Sequence, residues 1–204
     1  NSGGTGVVFF GEKGGDYIQK AAVKLIDPTI TKMIGQENVL NEAQLMASMN
    51  HPGIAKIYDS GRLKGGIIYF IMEYVEGKRL TELIQGGLTI KQVVKLSIDL
   101  CSAIAHAHEL QITHKDLKPD NILISKDFEV KVIDFGLSKS NNKTNDKHSD
   151  FYAVSKEYAS PEQLAKKVIT SRTDIYSIGC CIFEAITGDK YINVFPSPDN
   201  VTSE

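Results

Sequence analysis

Several features that would mark a specialised class are absent from this sequence. Only 3 cysteines occur in 204 residues, and Cys101, Cys180 and Cys181 form neither a spaced disulfide framework nor a paired CxxC ligand set. Buried, reduced thiols are the expectation. No apolar run approaches the roughly 18 residues of a membrane span, and residues 1–6 carry neither the basic nor the apolar region of a signal peptide. With 23 basic residues against 25 acidic ones, the formal net charge is -2, so no overall field draws in nucleic acid or an anionic membrane. There is no internal repeat and no compositional bias of the kind that keeps a chain disordered. What remains is a globular chain, expected in the cytoplasm and without nucleic-acid partners, whose function has to be argued from a site.

With 42% hydrophobic residues the chain can bury a sizeable core. Residues 7–10 and 21–26 are short β-rich runs joined by the turn-prone Gly14-Gly15-Asp16, which predicts a hairpin. Over 36–50, Val39, Leu40, Ala43, Met46 and Met49 recur three and four apart, predicting an amphipathic helix that ends before His51-Pro52. Strands are predicted over 54–58 and 67–75, with Gly65-Gly66 as the turn between them. Beyond Gly77 the periodicity becomes helical, over 80–85 and then over 90–110. In the longer helix Val93, Leu96, Leu100, Ala103, Ala107 and Leu110 form one stripe, and Ile90, Val94, Cys101 and Ile104 a second. A helix apolar on two sides is expected to be buried on both. Two short strands, 122–125 and 129–133, are expected to pair, residues 138–150 read as a polar loop, and 173–187 as a last helix. The order implies an α+β chain of two unequal lobes: residues 1–75, a small antiparallel β lobe with one helix, and residues 76–204, mainly helical.

Asn1-Ser2-Gly3-Gly4-Thr5-Gly6-Val7-Val8 opens a strand with glycines whose missing side chains let backbone N–H groups approach phosphate. In isolation a surface turn remains the lesser alternative, whereas dinucleotide-binding glycines would open a helix. Lys24 stands in the apolar run Ala22-Val23-Lys24, where a charge is costly unless it is paired or bound to phosphate. Later come His114-Lys115-Asp116-Leu117-Lys118-Pro119-Asp120-Asn121, then Asp134-Phe135-Gly136, Ser160-Pro161-Glu162 and the helix opening at Asp174.

In this order, and over nearly the whole chain, these motifs resemble the protein kinases. Lys118, with Ser155 upstream of Tyr158, resembles the serine/threonine branch, and Tyr158-Ala159-Ser160-Pro161-Glu162-Gln163 resembles its bacterial-type members. The resemblance implies a bilobal kinase fold, incomplete at both ends, that transfers phosphate from ATP, with Mg2+, to Ser or Thr hydroxyls of protein substrates. It further implies that Gly3, Gly4 and Gly6 cradle the phosphates and that Lys24 holds them, itself positioned by Glu42. Val8, Ala22 and Leu123 would sandwich adenine, with Met72 as gatekeeper and Glu73-Tyr74-Val75 as the hinge that hydrogen-bonds it. Asp116 would accept the proton of the attacking hydroxyl, Lys118 would neutralise the moving phosphoryl group, and Asn121 and Asp134 would hold magnesium. Met46, Ile57, His114 and Phe135 fall where the family stacks a spine, and core packing explains them equally well.

The chain departs from the family pattern at Asn1, which replaces the first glycine, and at Lys115, which keeps the charge of the usual Arg but lacks its planar fork for a phosphorylated segment. Hydroxyls available on that segment are Ser138, Ser140, Thr144, Ser149 and Ser155. The chain stops where kinases continue with further helices, so apolar surface around Ile178, Cys181 and Phe183 is expected to be uncovered. Two other readings stand beside the kinase. A non-catalytic ATP-binding scaffold is allowed by Asn1 and opposed by Lys24, Glu42, Asp116, Asn121 and Asp134 occurring together. A small-molecule phosphotransferase is opposed by Ser155 and residues 160–162. His106 and His108, two apart on a helix, do not share a face and are expected to pack or hydrogen-bond. Asp134→Asn is expected to remove a chelating charge while leaving the fold largely intact.

Overall fold

The computed structural model describes residues 2–3, 6–13, 19–135 and 155–191. Gly4, the turn at 14–16, Gly136, and the hydroxyls of Ser138, Ser140, Thr144 and Ser149 lie outside the described residues. The first sheet is antiparallel and contains β1 (Ser2–Gly3), β2 (Gly6–Lys13), β3 (Gln19–Ile26), β4 (Ile57–Arg62) and β5 (Ile68–Glu73), in the order β1-β2-β3-β5-β4. Its register sets Val8 beside Lys24 and Ala22 beside Met72. Gly6 is irreplaceable at the β2–β3 crossing, because a Cβ there would stand 2.0 Å from the Leu25 carbonyl oxygen.

Two helices, not the single one predicted, follow β3: α1 (Pro28–Ile34) and α2 (Gln36–Ala47), of which α2 packs on β4 and β5. The signal for α1 is a cap and not a stripe. Asp27 accepts hydrogen bonds from the Thr29 N–H and hydroxyl, both at 2.7 Å, and Pro28 occupies the first turn, where no N–H is needed. Gly35, at φ 86, separates the two helices.

The strand predicted over 54–58 does not join the first sheet at Ile54. Ala55 N–H donates to Val132 O at 3.0 Å and Val132 N–H donates to Gly53 O at 2.8 Å, so this segment bonds to the second sheet and β4 begins only at Ile57. The second sheet orders β6 (Gly77–Arg79), β7 (Ile122–Ser125) and β8 (Val130–Val132) consecutively. The unpredicted β6 carries the charged sequence Gly-Lys-Arg and has no apolar alternation to reveal it. Gly77 lets β6 approach, since a Cβ would lie 2.2 Å from Ile124 O.

Below this sheet lie α3 (Leu80–Gln85), α4 (Ile90–Glu109), the short α5 (Pro161–Leu164) and α6 (Arg172–Thr187). Thr89 caps α4 in a reciprocal box with Gln92. One buried cluster runs from Val39, Ile68 and Phe70 through Ile54 and Val132 to Leu96, Leu100, Ile104 and Cys181. Fully burying each of the larger aliphatic side chains stabilises the fold by about 1.5–3 kcal/mol.

Two burial expectations are corrected. Ile90, Val94 and Cys101 on the second stripe of α4 are exposed, and of that stripe only Ile104 is buried. Ile178 and Cys181 are buried, because α6 packs on α4, whereas Phe183 on the same helix is exposed with Ile175 and Ile186. Periodicity reveals an apolar face but not whether another element covers it.

Candidate active site

Residues 114–121 connect α4 to β7, and a single fully buried carboxylate organises their start. Asp174, near the N-terminus of α6, accepts from His114 N–H at 2.8 Å, from Lys115 N–H at 2.8 Å, and lies 2.8 Å from His108 Nε2. Burial works against its charge, yet the hydrogen bond from His108 and the two backbone N–H groups hold its carboxyl below the ordinary carboxylate range. His114 fixes the next step. Its Nε2 lies 3.0 Å from the Ile133 carbonyl, which can only accept, and its Nδ1 takes the Asp116 N–H at 3.3 Å, so both ring nitrogens are engaged by the backbone. As expected, it packs on Phe135, with ring centroids 4.7 Å apart.

Asp116 is therefore held through its backbone, and its side chain is left for chemistry. Its N–H bonds His114, and its carbonyl accepts Asn121 Nδ2 at 2.8 Å. Lys118 Nζ lies 3.3 Å from Asp116 Oδ2 and 2.8 Å from the Ser155 hydroxyl. With the Asn121 amide nitrogen committed to Asp116, its Oδ1 is the atom left to face a ligand. Asp134 stands one residue past Ile133, whose N–H bonds the Asn121 carbonyl at 3.0 Å, so the two proposed metal donors leave adjacent strand ends. One carboxylate and one amide oxygen suit magnesium, which keeps water and phosphate as its other ligands. No group of three or more His, Cys, Asp or Glu able to hold a metal ion occurs among the described residues.

Lys24 is only 2% exposed, and its Nζ lies 2.7 Å from Asp134 Oδ1. The Lys24–Glu42 pair implied by the resemblance is not formed. The buried ammonium takes the carboxylate that reaches it from the end of β8, and Glu42 on α2 is left half-buried with Lys115 as the opposing charge. Burial pushes the Glu42 carboxyl up to about 7, against the pull of Lys115. Burial likewise lowers the Lys115 ammonium, while Glu42 and Asp174 oppose that shift.

An acid whose folded pKa lies above its unfolded value favours folding while protonated, so this contribution is complete below pH about 4.5 and is lost as pH rises to about 7. Glu42→Gln removes the cost of the buried anion, and the lost attraction to Lys115 cancels part of the gain. The expected result is a stabilisation of about 1–2 kcal/mol at pH 8 and almost none at pH 4. Urea unfolding at the two pH values checks it, and an equal effect at both would show that burial of Glu42 is not what raises its carboxyl.

Of the residues expected to hold adenine, Ala22, Met72 and Val8 come from neighbouring strands of the first sheet, and Leu123 comes from β7 of the second. Glu73 is not free to use its N–H, which donates to Lys56 O at 2.8 Å. Its carboxylate bonds Lys131 at 2.6 Å and the Lys56 N–H at 3.1 Å. The Val75 backbone makes no hydrogen bond among the described residues. Behind Met72 a cavity lined by Lys24, Met46, Ile57, Phe70, Asp134 and Phe135 extends into the core, so Met46, Ile57 and Phe135, three of the four spine positions, border one space.

Residues 155–177 contribute more than the sequence suggested. Tyr158 donates its hydroxyl to Glu184 at 2.6 Å, and Ser177 donates to the Tyr158 carbonyl at 2.8 Å. Gln163 reaches the Lys115 carbonyl at 2.7 Å. The available signal was a helix, α6, with Thr173, Asp174, Ser177 and Glu184 among its apolar residues, and all four are buried. Buried polar groups need partners. His106, by contrast, accepts the Asn50 N–H at 3.3 Å and stacks on His51, a packing role in line with expectation.

A protein kinase domain model matches residues 2–200 of this chain. Among curated relatives, serine/threonine-protein kinase PrkC of Bacillus subtilis is 43% identical over 149 residues, covering 72% of this chain and 23% of PrkC. Serine/threonine-protein kinase PknB of Mycolicibacterium smegmatis is 37% identical over 155 residues, covering 72% of this chain and 25% of PknB. The chain thus spans about a quarter of the length of these relatives. Among solved structures, the PknI kinase domain of Mycobacterium tuberculosis is similar with a TM-score of 0.75, over 96% of this chain and 75% of that one, at 20% identity, a likeness of fold. Among the described residues, no helix is long and apolar enough to cross a membrane.

Proposed function

This chain belongs to the protein kinase domain family, and from that premise we propose that it transfers the γ-phosphoryl group of ATP to serine or threonine hydroxyls of protein substrates. The observation that carries the reading is the Lys118 ammonium, which touches both the Asp116 carboxylate and the Ser155 hydroxyl. It links the candidate proton acceptor to the segment on which a protein substrate would lie, an arrangement of no use to an enzyme acting on small alcohols. The names of the bacterial relatives support the same acceptor class.

The substrate hydroxyl oxygen bonds to the γ-phosphorus as the bond from that phosphorus to the bridging oxygen breaks. ADP leaves, and the hydroxyl proton passes to Asp116. Lys118 balances charge on the moving group, and Lys24 holds the remaining phosphates. Asp134 and Asn121 are the residues that would hold magnesium, which when bound neutralises phosphate charge. Gly3 and Gly6 border the phosphate side, and Val8, Ala22, Met72, Leu123 and the Glu73 and Val75 backbones the adenine side. We read residues 1–75 and 76–204 as the two lobes and propose a cytoplasmic location, in line with the proposed use of ATP.

The test is transfer of labelled γ-phosphate, with and without a magnesium chelator, to a generic protein and to small alcohols. Chelator-sensitive labelling of Ser or Thr in the protein is the expected result. Labelling of the alcohols alone would move the chain to the small-molecule phosphotransferases, and ATP binding without transfer would make it a scaffold.

A further inference from the structure

Gln163 occupies the third position of α5, is 8% exposed, and has both ends of its amide engaged. Its Oε1 accepts the Ser160 N–H at 3.0 Å and the Thr173 hydroxyl at 2.7 Å, while its Nε2 donates to the Lys115 carbonyl at 2.7 Å. The assignment is forced, because a backbone N–H can only donate and a carbonyl can only accept. Lys115 is a left-handed residue, φ 66, directly before Asp116. A non-glycine residue in that region is strained and persists only where its surroundings impose it. Here the Lys115 N–H is held by Asp174 and its C=O by Gln163.

The second half of that clamp is not explained by the helix it sits on. Ser160 and Gln163 form a capping box, in which the third residue accepts the cap N–H, and glutamate serves that purpose as well as glutamine. Only glutamine also has a donor for the Lys115 carbonyl. A carboxylate there would turn oxygen against oxygen in a buried site. We propose that Gln163 is a positioning residue for phosphoryl transfer: its amide holds the strained Lys115 turn and thereby aims the Asp116 carboxylate. The inference rests on the kinase reading, and it makes α5 and the catalytic loop one mechanical unit.

Three variants test it. Gln163→Glu keeps the cap and the shape but loses the donor while ionised. Gln163→Leu keeps the volume and loses both ends. Thr173→Val keeps the glutamine and removes the hydroxyl that orients it. At pH 8, Gln163→Glu and Gln163→Leu are expected to lower kcat on the order of 10- to 100-fold, the scale of small misplacements of a reacting group, with KM for ATP changed by less than about twofold. Toward pH 6 the buried carboxyl that Gln163→Glu introduces takes up a proton and regains a donor, so the Gln163→Glu deficit relative to wild type shrinks while the Gln163→Leu deficit does not.

Backbone hydrogen exchange over residues 114–117, compared with wild type at each pH, should follow the same pattern. That arm needs no activity. A wild-type chain that transfers no phosphate would sink the kinase reading, and exchange alone would then decide the clamp. Exchange unchanged in Gln163→Glu, a deficit that ignores pH, or kcat within about threefold of wild type in both Gln163 variants would overturn the proposal. If Gln163→Leu does not fold, Thr173→Val decides, since a fall of about three- to tenfold supports the clamp and wild-type kcat refutes it.

Discussion

Asp134→Asn is expected to abolish phosphate transfer and, with the fold still largely intact, to lower stability as well, a cost the sequence alone did not suggest. The substitution removes the one carboxylate assigned to magnesium, and loss of a metal-bound charge removes transition-state stabilisation of several kcal/mol, at least about 10³-fold in kcat. The structural cost comes from Lys24. Its ammonium is 2% exposed and has Asp134 as its counter-charge at 2.7 Å. Breaking a fully buried pair costs about 3–5 kcal/mol. Asp134 is 29% exposed and asparagine still accepts a hydrogen bond, so about 1–2 kcal/mol is the expected loss.

Lys24→Met gives the contrasting result. Turnover should fall as steeply, because a cation on the phosphates is gone, but unfolding free energy should stay level or rise, because methionine suits a buried strand position and the partly exposed Asp134 can be hydrated. Activity assays and urea unfolding on both variants and the double variant check this. Asp134→Asn with wild-type stability would mean that the Lys24–Asp134 pair contributes nothing to the fold, and Lys24→Met with wild-type turnover would mean that another cation holds the phosphates.

The stability cost at Asp134 shows what the sequence could and could not convey. Motifs that are local in the chain were legible. The 80–85 helix and the 122–125 strand have the predicted limits, the first because Gly86-Gly87 stops it. The roles of Asp116, Lys118 and Asn121 travel together on one short loop. Partners contributed by separate elements were not legible. Whether Lys24 meets Glu42 or Asp134 depends on where α2 and the end of β8 sit relative to β3, and no periodicity encodes that. Gln163 was visible only as a resemblance, because its capping role and its reach to Lys115 use opposite ends of one amide. The helix α1 was hidden for a different reason. It buries only Ile30 and Thr31, so its signal was the Asp27-Pro28 cap rather than a hydrophobic stripe.

Asp116→Asn isolates chemistry from structure, because everything that holds Asp116 in place is backbone. Its N–H is fixed by His114, its carbonyl by Asn121, and the preceding peptide by Asp174 and Gln163. An isosteric amide leaves all of these bonds in place. Lys118, 3.3 Å from the carboxylate, keeps its shorter bond to Ser155, so no buried charge is stranded and stability should change by no more than about 0.5 kcal/mol. The amide cannot accept the hydroxyl proton. General-base loss of this kind costs about 10²–10⁴ in rate, and it should fall on kcat with KM for ATP little altered. Steady-state kinetics beside a thermal or urea unfolding curve separates the outcomes. A large loss of kcat at unchanged stability assigns the proton transfer to Asp116. Retention of kcat to within about tenfold would remove it from that role and leave Lys118, through charge alone, as the main contribution of this loop to transfer.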